Sequence, residues 1–294
     1  MKKWLGAAIA LGTALAVSAC GSGSGGPAST PTTSQGAPGG GGDAASASPL
    51  ASDGSGTVDP AAWAKWGLRP LLPAPAAPAD RPIRLTKTGK VPVFSNVPVP
   101  ASDKIVFITL DDGAEKDPRF VQLMQDLRIP VTMFLTEDII KNDYGYFKPL
   151  QALGDSIQNH TVSHPPMNTI PLAAQKRQVC EDQSTLTTEY GTAPFLFRPP
   201  FGAGAYTTSL NQAVQACGPR AIVLWKETMQ ITGLQYQTAD KKLRPGDIIL
   251  AHFRGPSELK GETMVAMFVN LVKRIEEQGF TVARLDDYIQ PPTG

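Results

Sequence analysis

Thr109-Leu110-Asp111-Asp112-Gly113 closes an apolar run that starts after Lys104, and the reading of this stretch decides the fold. Residues 105–110, Ile-Val-Phe-Ile-Thr-Leu, are mostly β-branched or aromatic, few in number and stopped by a turn signal, which predicts a buried strand. Two carboxylates at the end of such a strand are costly to bury unless they are paired or bind a metal. A tight Asp-Gly hairpin turn is the alternative reading. A hairpin, however, needs a second strand at once. Here Asp117-Pro118 is a helix-start signal, and Phe120, Leu123, Met124 and Leu127 follow at helical spacing. The expected order is strand, carboxylates, helix.

Outside this stretch the 294 residues divide by composition. Residues 1–20 begin Met1-Lys2-Lys3 and continue with an apolar run to Val17, the basic and apolar regions of a secretory signal, too short for a comfortable membrane span. The run ends in Val17-Ser18-Ala19-Cys20-Gly21, which resembles the lipobox of bacterial lipoproteins. That resemblance implies that Cys20 becomes the lipidated first residue of an exported protein, with ordinary secretion and nearby cleavage as the alternative. Residues 21–57 are Gly/Ser/Pro-rich with little apolar bulk and are expected to form a disordered tether. Residues 58–102 are Pro-rich and mixed, with extended pieces at 83–85 and 91–94 expected to pack on the globular part. Residues 103–294 form a domain large enough for one real core. The net charge of +1 gives no long-range field for nucleic acid or an anionic membrane surface.

Within that domain apolar runs alternate with helix-period segments. Strands are predicted at 105–110, 131–135, 156–158, 195–197, 221–225, 247–251 and 280–284. Helices are predicted at 118–127, 146–153, 171–190, 208–217 and 262–278. Such alternation argues for an α/β fold with a parallel sheet and helices outside it. About seven units suggest a distorted (β/α) barrel smaller than the eight-stranded one, with function at the strand ends.

Asn159-His160-Thr161-Val162-Ser163-His164 follows the third predicted strand. Two imidazoles four residues apart can converge on one metal. They can also be surface decoration or a core pair, but the chain has only three His in all. Two His and one carboxylate form a set that suits Zn2+, with positions left for water and substrate; another divalent metal ion also fits.

Thr-Leu-Asp-Asp-Gly, His-Thr-Val-Ser-His, Arg198-Pro199-Pro200-Phe201 and Leu250-Ala251-His252 occur in this order. Together they resemble the first, second, third and fifth motifs of the polysaccharide deacetylase family, also called the NodB-homology or carbohydrate esterase 4 family. The resemblance implies that Asp112, His160 and His164 hold the metal and that Asp111 is the general base. It implies that the Phe201 backbone N–H stabilises the oxyanion, that His252 protonates the leaving group and that Arg198 orients Asp111 through a charge-assisted pair. Leu250 resembles the apolar wall that holds the acetate methyl, and Trp225 matches a strand-end tryptophan common in the family. The fourth motif, usually an Asp that pairs with the catalytic histidine, is missing: the chain reads Lys226-Glu227-Thr228-Met229 instead. His252 is also followed by Phe253, where an Asp is frequent. Glu227, just beyond the predicted strand, is the first candidate substitute partner for His252, with Asp240 and Asp247 after it. Cys180 and Cys217 fall in neighbouring predicted helices, where a disulfide and a pair of buried thiols are both compatible with the sequence.

The implied function is metal-dependent removal of acetyl groups from an N-acetylglucosamine-containing polysaccharide, such as peptidoglycan or chitin oligomers. The protein is expected to be a monomer, lipid-anchored at the outer face of the bacterial cell membrane or secreted, with no nucleic-acid partner. Two alternatives stand beside it: a non-catalytic surface lipoprotein that binds sugar or metal, and an O-acetyl esterase of the xylan type.

Overall fold

All six residues of the run 105–110 are buried. In the computed structural model, which describes residues 59–293, they lie at the centre of a curled sheet. The expected leader, Cys20 and the tether fall outside the described residues.

The described chain opens with a short helix α1 (Pro60–Ala64), strand β1 (Ile83–Thr86) and strand β2 (Val93–Phe94). Strand β3 (Ile105–Asp112), helix α2 (Pro118–Leu127), strand β4 (Val131–Leu135) and helix α3 (Glu137–Ile140) follow. Helix α4 (Lys148–Ala152), strand β5 (Ser156–Asn159), helix α5 (Leu172–Tyr190), strand β6 (Leu196–Phe197), helix α6 (Thr208–Cys217) and strand β7 (Ala221–Val223) come next. A hairpin of β8 (Glu227–Met229) and β9 (Leu234–Tyr236) leads to β10 (Ile248–His252), helix α7 (Met264–Glu277), β11 (Thr281–Val282) and β12 (Ile289–Thr293). The main sheet runs β2-β7-β6-β5-β4-β3-β10-β8-β9, and β11 pairs with the first two residues of β3. All pairings in this sheet are parallel except β8 with β9.

This is the distorted barrel that the alternating pattern predicted, with more strands. The additional ones, β2, β8 and β9, have two or three residues each. Strand β2 lies within the extended piece expected at 91–94, while β8 and β9 are short and partly polar and carry no apolar run to mark them as strands. Between the ends of the path, the chain after β2 crosses to the base of β10, where Val97 N–H donates to the Gly246 carbonyl at 2.8 Å.

The two-residue period of β3 sorts its side chains. Val106, Ile108 and Leu110 face the helices and pack with Phe120, Leu123 and Met124 of α2 and Phe268 and Leu271 of α7. Ile105 and Phe107 face the interior of the curled sheet with Phe134, Leu196, Val223 and Ile248. Helix α2 starts where expected: Asp117 accepts from Arg119 N–H at 2.8 Å, and Pro118 occupies the first turn, where no N–H is needed.

Cys180 of α5 and Cys217 of α6 are joined as a disulfide, which decides between the bond and the two buried thiols. The proline-rich stretch before β3 is stitched to the domain. Trp63 is buried, Trp66 Nε1 donates to Asp126 of α2 at 3.0 Å, and β1 pairs in parallel with β12. Among the described residues no helix is long and apolar enough to cross a membrane.

Candidate metal and catalytic site

The inward face of β3 continues from Phe107 through Thr109 to Asp111, so the barrel interior turns polar at its C-terminal end. On the neighbouring strand β10, Leu250 pairs in register with Thr109 and His252 with Asp111. Parallel pairing therefore delivers a carboxylate and an imidazole side by side to the mouth. Strict alternation would send Asp112 outward, towards the helices. Its backbone instead adopts φ 74°, in the left-handed region that an L-residue enters only at a cost. Gly113 continues the bend at φ 90°, where an added Cβ would lie 2.5 Å from Ile140 Cγ2 and 3.0 Å from the Phe147 ring. The Asp-Asp-Gly turn is thus a re-aiming device, not a hairpin.

His160 and His164 come from the loop after β5, which carries two more left-handed residues, Thr161 at φ 75° and His164 at φ 57°. Asp182 of α5, fully buried, accepts from His160 N–H at 3.1 Å. The Asn159 side chain accepts from Thr161 N–H, and Thr161 Oγ1 accepts from His164 N–H. The loop is therefore held from several sides at once.

The Nε2 atoms of His160 and His164 lie 3.5 and 3.2 Å from the same Asp112 oxygen, Oδ1. The three residues form one group able to hold a metal ion. Two ligands each about 2.1 Å from a tetrahedral zinc stand about 3.4 Å apart, so the observed separations fit that geometry. Two further observations agree. Asp112 Oδ1 is buried without a hydrogen-bond partner. His160 Nδ1 lies 2.7 Å from the Arg198 carbonyl, which can only accept, so Nδ1 carries the proton and Nε2 is left for a metal. Burial alone would raise the Asp112 carboxyl, but the two histidine rings beside it hold it well below the usual carboxylate range. His160 shows the opposite balance: burial lowers it, and Asp111 and Asp112 bring it above its ordinary value.

Asp111 stands beside this set, its Oδ2 3.6 Å from His160 Nε2. Its Oδ1 accepts from Arg198 Nη1 at 2.6 Å. Arg198 follows β6 and is completely buried; it also donates to Thr109 Oγ1 and the Val223 and Leu224 carbonyls, and stacks over Phe134 at 4.2 Å. Trp225 flanks the same guanidinium at 5.6 Å. Phe201 has left-handed backbone angles (φ 60°, ψ 9°) and an exposed ring against His164 at 4.8 Å. Leu250 is buried on the inward face of β10.

Glu227 is not brought to His252. Trp225 and Lys226 form a bend, and Glu227 opens a new strand whose register sets it beside Ile249, three residues short of His252. There it is buried against Asp247, and burial together with that second carboxyl pushes it well up. Continuing the register places Gln230 beside His252. No side chain among the described residues hydrogen-bonds the His252 ring, and burial pushes its imidazole down to about 4 despite the raising influence of Asp111 and Asp112.

Thr109, Asn159 and Asp182 are site residues that the sequence reading did not single out. Asp182 had a readable signal: it lies on the buried stripe of α5 between Val179 and Leu186, where a carboxylate is out of place unless it serves a partner.

The polysaccharide deacetylase family model matches residues 99–222. An uncharacterised protein of Streptomyces coelicolor is 39% identical over 216 residues, covering 73% of this chain and 82% of that protein. A peptidoglycan-N-acetylglucosamine deacetylase of Bacillus cereus is 24% identical over 192 residues, covering 63% of this chain and 68% of that protein. A chitooligosaccharide deacetylase of Sinorhizobium fredii is 25% identical over 198 residues, covering 61% and 89%. Among solved structures, a peptidoglycan N-acetylglucosamine deacetylase superposes with a TM-score of 0.56 at 22% identity, covering 68% of this chain and 94% of that one. A carbohydrate esterase family 4 pseudoenzyme from Bacillus anthracis superposes with a TM-score of 0.52 at 18% identity, covering 65% and 68%. These superpositions show a shared fold. Residues 99–222 carry a polysaccharide deacetylase domain.

Proposed function

We propose that this protein is a metal-dependent hydrolase that removes acetyl groups from an N-acetylglucosamine-containing polysaccharide such as peptidoglycan or chitin oligomers. The observation that carries this reading is the division of labour between adjacent carboxylates: Asp112 is shared by two histidines, while Asp111 beside it is held by Arg198.

Asp112, His160 and His164 are the ligands of Zn2+ or another divalent metal ion. Such an ion, when bound, polarises the acetyl carbonyl and acidifies water at its open position. Asp111, fixed by Arg198 and Thr109, takes the proton from the attacking water. The Phe201 backbone N–H donates to the oxyanion that develops on the acetyl group. His252, on the strand next to Asp111, delivers a proton to the leaving nitrogen. Leu250 walls the space for the acetate methyl, and Trp225 supports Arg198 from below. Cys20 is the lipidated residue of an exported monomer held at the outer face of the cell membrane. Loss of radiolabelled palmitate from Cys20→Ala in a bacterial host tests the anchor.

The isolation of His252 supports a second reading, a non-catalytic surface protein that binds sugar or metal; a family pseudoenzyme shares this fold. An O-acetyl esterase would use the same groups. A panel of N- and O-acetylated glycans, incubated with zinc-loaded protein and assayed for acetate, separates the three. Release from N-acetylglucosamine oligomers supports the first reading, release from acetyl xylan alone replaces it with the esterase, and no release from any glycan leaves the binding protein.

A further inference from the structure

A groove of about 410 Å³ opens beside His252, between the β8–β9 turn and the loop that follows β10. Gln230, His252, Arg254, Glu258 and Lys260 line it above Met267. His252 therefore belongs to both the catalytic site and this groove, and whatever adjoins the leaving nitrogen extends into it. The groove carries two cations and one carboxylate. Arg254 Nε stands 3.5 Å from Glu258 Oε1, too long for a good hydrogen bond, and no other protein group among the described residues pairs with its guanidinium. Lys260 has no ion-pair partner among the described residues.

The loop that presents these cations is built in. Glu115 N–H donates to the Phe253 carbonyl at 2.9 Å, and the Glu115 carboxylate lies against Gly255. Leu259 and Gly261 N–H groups close turns onto the Gly255 and Pro256 carbonyls, and Leu259 is buried. Lys260 is held at φ 54°, a left-handed conformation that an L-residue enters only at a cost. Its side chain is exposed at the edge of the groove.

We propose that this groove is a subsite for a carboxylate-bearing sugar next to the unit that is deacetylated, with Arg254 and Lys260 receiving the carboxylate. The inference rests on the deacetylase reading and narrows its substrate from acetylated glycans in general to acidic ones. Guanidinium matches a carboxylate with two parallel donors, and the lysine supplies a second positive charge. A neutral oligomer of the same length offers neither cation a partner.

Two peptidoglycan-type glycan oligomers of equal length, stripped of peptide, serve as probes. One keeps its lactyl carboxylates; in the other they are methyl amides, and the acetyl groups are identical. Kd by calorimetry and kcat/KM for acetate release are measured on the full zinc-loaded protein. We expect about tenfold tighter binding and faster turnover of the free acid, a preference that shrinks as salt rises and collapses towards one in Arg254→Gln combined with Lys260→Gln. Equal Kd and kcat/KM for the two probes, or binding to neither, overturns the subsite. Acetate release without preference leaves the deacetylase reading intact. Preferential binding without acetate release overturns that reading and keeps the subsite. The wild-type comparison decides even where the double variant is unstable.

Discussion

Arg198 Nη1 donates to Asp111 Oδ1 at 2.6 Å, with both residues buried at the C-terminal mouth of the barrel. The pair fixes the carboxylate beside, rather than within, the His160–Asp112–His164 set. Asp111→Asn keeps the shape and removes the base, so kcat is expected to fall by about 10²–10⁴-fold while zinc affinity by calorimetry stays within about threefold. Arg198→Met strands a buried carboxylate and is expected to cost about 3–5 kcal/mol in urea unfolding. Unchanged stability in that variant would mean that the pair is not a buried ion pair in solution.

Zinc binding should depend on pH in one direction. Metal requires the neutral imidazole, and Asp111 and Asp112 hold the proton of His160 above its ordinary value against the effect of burial. Protons therefore compete with the metal until the pH passes the histidine range. Calorimetry in buffers of different ionisation enthalpy should show proton release on binding near neutrality, and affinity should weaken as pH falls. Pure chelation by carboxylates would show neither.

Asp155 sets a stability window far from the site. Burial pushes its carboxyl up to about 7 from 3.8, although Oδ1 accepts from Val131 N–H at 2.9 Å. Between those values the unfolded chain has released a proton that the folded chain keeps, so unfolding is favoured as pH rises. This contribution is greatest below 3.8, declines through the window and levels off above about 7. Its full size is on the order of 4 kcal/mol. Urea unfolding from pH 4 to pH 8 should show the decline, and Asp155→Asn should flatten it.

The Cys180–Cys217 bond closes a loop with a sequence separation of 37 and ties α5, which carries Asp182, to α6. Replacing both cysteines with alanine is expected to cost about 2–4 kcal/mol. The same loss should appear in wild-type protein under reductant. If the reduced and oxidised proteins unfold at the same urea concentration, the bond contributes nothing to the folded state.

Much of this was legible because the buried strands are long or strongly apolar. The run from Ile105 and the helix from Pro118 could hardly be read otherwise, and Asp111 and Asp112 end that run, whereas His160 and His164 follow a short, mostly polar strand and stand out by their spacing and by being two of only three His. The failures share a cause. Strand β8 has three residues, two of them polar, so Glu227 read as a loop residue near His252 when it is a strand residue buried beside Asp247. Asp112 would point the wrong way by simple alternation. Only its left-handed backbone, which the following glycine hints at, brings it to the histidines. Arg198 illustrates a third limit, since nothing in Arg-Pro-Pro-Phe announces a fully buried guanidinium.

The most direct test of the central claim is acetate release from N-acetylglucosamine oligomers as zinc is titrated into metal-stripped protein. Acetate release should be negligible without metal, rise in proportion to zinc, saturate near one equivalent per chain and be lost in Asp112→Ala. Acetate release that is indifferent to chelation and to Asp112, or its complete absence with one zinc bound, would contradict it.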